Sequence, residues 1–101
     1  MIKHIVMFKL KENINNKTEY ENAVEAKERF NKVIENVPFL RKAECVINSG
    51  DAPKDNYTIA LICDFDDIDG LNAYQVNPFH KEFGAFIAPL KESRACIDYE
   101  F

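Results

Sequence analysis

Apolar and polar residues recur with two different periods along this chain, and the points where the period changes divide it into elements. From Lys3 to Leu10, His4, Val6, Phe8 and Leu10 fall on one face of an extended segment and Ile5 and Met7 on the other. Tyr57 to Phe65 is a second continuous run, and Arg41 to Asn48 and Ala95 to Phe101 complete a set of four predicted strands. Between the first two strands, Thr18-Glu19-Tyr20-Glu21 matches a capping box, in which the Thr18 hydroxyl and the Glu21 carboxylate each satisfy a backbone N–H at a helix start. Ala23, Val24, Lys27, Phe30, Val33, Ile34 and Val37 follow at helical spacing, with Lys27 breaking the stripe, and Pro38 stops the helix near Asn36.

Asp66 or Asp67 can cap a short helix that runs through Tyr74 and ends near Asn77. Asn77-Pro78 then opens another, since proline at the first helical position loses no hydrogen bond, and Phe79, Phe83, Phe86, Ile87 and Leu90 form its apolar face. The resulting order is β-α-β-β-α-β across a single domain, residues 1–101. This is an α+β, ferredoxin-like arrangement with a four-stranded antiparallel sheet and its helices on one face.

Strands with one wet face would alternate strictly, so the apolar side chains on both faces need two covers. The helices supply one. The second is expected to be another copy of the sheet, making a homodimer in which two sheets close into an α/β barrel. Any cavity chemistry is expected in that barrel interior.

The composition narrows what such a barrel does. A formal net charge of −4, with the lysines scattered among acids, excludes an electrostatic footprint for nucleic acid. No apolar run reaches the ~18–20 residues of a membrane span, and the first residues enter a strand pattern directly, so a cytoplasmic protein is expected. Cys45, Cys63 and Cys96 are widely spaced and odd in number, which reads as three reduced, buried thiols. Asp64, Asp66, Asp67 and Asp69 before Gly70 resemble a calcium loop, but the required register puts Phe65 and Val76 at ligand positions. Two distant histidines with no cysteine at ligand spacing make no zinc motif, and no glycine-rich phosphate loop exists, so neither metal nor cofactor is expected.

Ile2-Lys3-His4-Ile5-Val6-Met7-Phe8-Lys9-Leu10, Tyr74-Gln75-Val76-Asn77-Pro78-Phe79-His80 and Ile97-Asp98-Tyr99-Glu100-Phe101, in that order and spacing, resemble the stress-responsive dimeric A/B-barrel (Dabb) family. The resemblance implies a homodimeric ferredoxin-like barrel. More distantly, the chain is similar to olivetolic acid cyclase-like members, which close a linear polyketide by an aldol-type step. That likeness implies His80 and Tyr74 as catalytic residues and His4 as a pocket residue, with Ile59 and about Ala26 standing where the cyclase has a histidine and a tyrosine.

Elementary chemistry supports the same candidates. His80 is the third residue of a helix whose unpaired N–H groups disfavour imidazolium, so a neutral ring could act as general base, and the Tyr74 hydroxyl could stabilise enolate charge. Alternatively, His80 orders the corner between two helices. His4, Val6, Phe8 and Tyr99 are expected to line a ligand cavity, with packing the competing role for each. Two functions follow as expectations: a barrel that binds a small apolar or aromatic molecule, or a cofactor-independent isomerase, cyclase or lyase using His80 and Tyr74. A purely structural dimer is the third.

Overall fold

A computed structural model describes residues 1–101 as one sheet covered on one side by helices. The elements are β1 (Ile2–Leu10), α1 (Glu19–Asn36), β2 (Lys42–Ile47), β3 (Ile59–Phe65), α2 (Ile68–Gln75), α3 (Pro78–Ile87) and β4 (Lys91–Glu100). The sheet order is β2-β3-β1-β4 and every pairing is antiparallel. This is the ferredoxin-like arrangement expected, with three helices. β4 begins at Lys91, four residues before the expected Ala95, because its pairing with β1 continues through a register shift at Lys9/Leu10 as far as Leu10–Lys91.

Local sequence accounts for the helix starts. Thr18 Oγ1 accepts from the Glu21 amide at 3.1 Å while Glu21 Oε1 accepts from the Thr18 amide at 2.9 Å, so the capping box is complete. Asp67 caps α2 by accepting from the Gly70 amide at 2.9 Å. Asn77 caps α3 by accepting from the Phe79 amide at 2.9 Å, with Pro78 following it. Replacing Asn77 by Ala should therefore lower stability by about 1 kcal/mol, measured by denaturant unfolding. A change near zero would mean that the cap does not hold the start of α3.

The parity of β1 is as the sequence suggested, but the cover over each face is not. Ile2, His4, Val6, Phe8 and Leu10 are buried beneath the helices with Ile59, Leu61, Cys63 and Phe65 of β3. Ala23, Ala26, Phe30 and Val33 of α1 and Phe83 and Ile87 of α3 close over them, with Phe30 and Phe83 meeting edge to face at 5.3 Å. Lys27 is exposed rather than part of this stripe, since Ala26 takes the core position. The opposite face carries Ile5, Met7, Ala60 and Ile62 in the centre, with Val46, Ile97 and Tyr99 beside them. Ile97 is 60% exposed and Tyr99 41%.

His4, Val6 and Phe8 thus face the helices and not the open face of the sheet on which a second sheet would stack. Alternation fixes which residues share a face but not which face the helices choose. The choice follows from the charges: Lys3, Lys9, Lys42, Glu44 and Asp64 all share the open face, around its apolar centre. Burying them under α1 would require pairing each one. Asp64, the buried member of this set, is paired in this way, with Lys3 Nζ 2.9 Å from its carboxylate.

Candidate functional site

Under the helices, three polar rings come together at the end of the sheet where β1 begins. His4 is held by β1, Tyr74 by the last turn of α2 and His80 by the first turn of α3. The Tyr74 ring lies 4.4 Å from that of His80 and 6.0 Å from that of His4, with Phe65 at 5.1 Å on another side. Tyr74 is fully buried and His80 half-buried. The break between α2 and α3 at Val76-Asn77 lets two short helices present these residues from successive ends.

Two atoms at this place lack partners. Three buried side-chain polar atoms make no hydrogen bond: Asp64 Oδ1, the Tyr74 hydroxyl and His80 Nδ1. The first sits 2.9 Å from the Lys3 ammonium. The other two belong to adjacent rings. Burial raises the Tyr74 pKa, with Cys63 adding to the shift, so the phenol stays protonated and can donate. Burial lowers the His80 pKa below its ordinary 6.5, the nearby Gln75 backbone opposing part of that shift and the charges of His4 and Arg94 adding to it. The imidazole is therefore neutral at pH 7 and can accept a proton.

His4 is nearly sealed, and its Nδ1 hydrogen-bonds the Asp98 carboxylate of β4. Cys96 lies on the same face of β4, its Sγ 3.6 Å from His4 Nδ1. Neither β4 residue was expected here. Their signal in the sequence was the alternation Cys96-x-Asp98 on a strand antiparallel to β1, which pairs Asp98 with His4 and Cys96 with Val6. Cys96 is exposed, not buried as expected, because no helix covers β4. Cys45 and Cys63 are buried as expected, and burial pushes their thiols to about 11 and about 12.

Of the expected ligand-binding residues, Val6 and Phe8 form core beneath the helices, on the side that holds His4. Tyr99 projects from the opposite face, opposite Lys3. A single cavity lined by all four is ruled out by the sheet between them. The main open clefts lie at the other end of the sheet: one of about 300 Å³ among Glu19, Tyr20, Asn48 and Lys54, and one of about 500 Å³ among Met7, Val46, Tyr57 and Ala60.

A ferredoxin-like sheet with one apolar face left open and buried polar rings under its helices defines the class of dimeric α/β-barrel proteins. Within that class, the sequence profile of the stress-responsive A/B barrel domain matches residues 2–101, and the chain belongs to that family. A dimeric ferredoxin-like protein of unknown function from Bacteroides fragilis is 35% identical, with a TM-score of 0.86 over 99% of this chain and 95% of that one. A second dimeric ferredoxin-like protein, from Thermobifida fusca, is 26% identical, with a TM-score of 0.84 over 99% of this chain and 90% of that one. A hydroxynitrile lyase from Passiflora edulis shares the fold at 17% identity, with a TM-score of 0.76 over 97% of this chain and 90% of that one. No curated protein matches the sequence significantly. No helix is long and apolar enough to cross a membrane.

Proposed function

We propose that this protein is a homodimer that binds a small aromatic or apolar molecule bearing a carbonyl oxygen, which accepts from the Tyr74 hydroxyl and from His80 in its Nδ1–H tautomer on the helix side of each sheet. One observation carries the reading: two adjacent rings each hold a buried polar atom with no hydrogen-bond partner. Leaving a buried donor or acceptor unpaired costs about 1–3 kcal/mol, so proteins seldom keep two together without a use. A ligand oxygen supplies the missing partner, and the surrounding Phe65 ring suits an apolar body. Val76, between the two helices that carry these rings, is exposed, and β4 beside them is largely exposed. Three unpaired cysteines suit the reducing cytoplasm.

A second reading rests on the protonation states. In its other tautomer, with Nδ1 unprotonated, neutral His80 could take a proton from a carbon next to the ligand carbonyl while Tyr74 donates to the oxygen as charge develops, giving isomerase, cyclase or lyase chemistry without a cofactor. The relationship to a hydroxynitrile lyase is one of fold and leaves the substrate open.

The test is Tyr74→Phe, with acetophenone as a probe. Removing an unsatisfied hydroxyl should leave the melting temperature unchanged or raise it, while weakening probe binding measured by calorimetry. His80→Ala should likewise lose the probe and keep the dimer. Undiminished binding in both variants, together with a lowered melting temperature, would assign the two rings to packing alone. Under the second reading, turnover should fall as the pH drops through the depressed His80 pKa, because the base is then protonated.

A further inference from the structure

The donors His4 Nδ1, Cys96 Sγ and Asp98 Oδ1 all lie within 4.8 Å of one another at the β1–β4 edge. We propose that they form a binding site for a divalent transition metal of the zinc and cobalt class, with a fourth position open to water. The expectation of no metal rested on spacing along the chain, and the ligands here are 92 and 94 residues apart, joined only by strand register.

The geometry suits such an ion. Bonds of about 2.3 Å to sulfur and about 2.0–2.2 Å to nitrogen and oxygen, at tetrahedral angles, set the donor atoms roughly 3.4–3.6 Å apart. Here Sγ lies 3.6 Å from Nδ1 and 3.9 Å from the Asp98 carboxylate. The His4–Asp98 contact is closer, as a hydrogen bond should be, and it opens when the metal takes the place of the shared proton. One imidazole, one thiolate and one carboxylate are a borderline-soft set that favours zinc or cobalt over magnesium or calcium.

The two strands hold the donors in place. His4 is 3% exposed and cannot turn away, whereas Cys96 and Asp98 are exposed and leave a path for the ion. With the thiol deprotonated, the ion, thiolate and carboxylate sum to zero charge, so Arg94 on the same face of β4 meets no net positive neighbour. Binding releases the Cys96 proton, and affinity therefore rises with pH. The metal inference stands apart from the Tyr74–His80 ligand reading, since neither residue is a ligand to the ion.

The experiment titrates cobalt(II) chloride into the full-length, metal-free protein under reducing conditions. A thiolate-to-cobalt charge-transfer band saturating at one ion per chain is expected. Cys96→Ser should lose the band with its metal-free melting temperature unchanged, because the residue is exposed. Loss of even a hydrogen-bond partner to a ligand typically weakens metal affinity about 10–100-fold, so Asp98→Ala should weaken cobalt binding by at least about tenfold. Zinc should raise the melting temperature of the wild type and not of Cys96→Ser. Absence of the band in the wild type, or its survival in Cys96→Ser, would overturn the proposal. Acetophenone binding to the metal-free protein separately reads the fate of the ligand site.

Discussion

Ile97→Asp should convert a dimer into monomers. Ile97 sits opposite Ile5 on the face that no helix covers and is the most exposed of that face's large apolar side chains. Stacking two such faces about a two-fold axis places each Ile97 near the seam, where a carboxylate would be buried beside apolar neighbours, the nearby Lys3 being already paired with Asp64. A stable interface of this obligate type buries about 2,000 Å² or more, and one unpaired charge within it costs several kcal/mol on each side of the axis. The wild type should sediment as a dimer at micromolar concentration, with a melting temperature that rises with protein concentration. The variant should sediment as a monomer whose lower melting temperature no longer depends on concentration. A folded wild-type monomer under the same conditions would reject the stacked-sheet assembly.

The fold was legible because its signals are local. A capping box at Thr18, Asn77-Pro78 and the apolar runs of β1 and β3 each specify an element within a few residues. The candidate site was legible only in part. His80 and Tyr74 are six residues apart on consecutive short helices, so their proximity follows from chain order. The two orphaned atoms could not be anticipated, because whether a polar group has a partner depends on every element around it.

The face of His4, Val6 and Phe8 was misjudged for a related reason. Period-two alternation is symmetric between the two sides of a strand, and what breaks that symmetry is charge: Lys3 and Lys9 of β1 itself, joined on the same face by Lys42, Glu44 and Asp64 of two other strands. Asp98 and Cys96 stayed hidden although the expected strand contains both, because only the antiparallel register with β1 sets them beside His4, and a register between strands so far apart in the chain has no local signal.

That face assignment makes the second large effect differ in kind from the first. Val6→Asp should abolish the folded protein at any concentration, not merely its association. Val6 is 4% exposed and belongs to the core shared by β1, β3 and the helices, where the basic side chain on its own strand face, His4, is already bonded to Asp98. A carboxyl buried there costs several kcal/mol, as an unpaired charge or as a neutral acid with no hydrogen-bond partner, and the lost apolar contact of valine adds about 1–2 kcal/mol more. Domains of this size hold only about 5–15 kcal/mol in total. Near-ultraviolet circular dichroism should therefore show no tertiary signal and no cooperative thermal transition for Val6→Asp. Ile97→Asp should keep both. If Val6→Asp instead gave a folded monomer, the side chain would have to lie at the seam between sheets, and the order of layers described for this fold would be reversed.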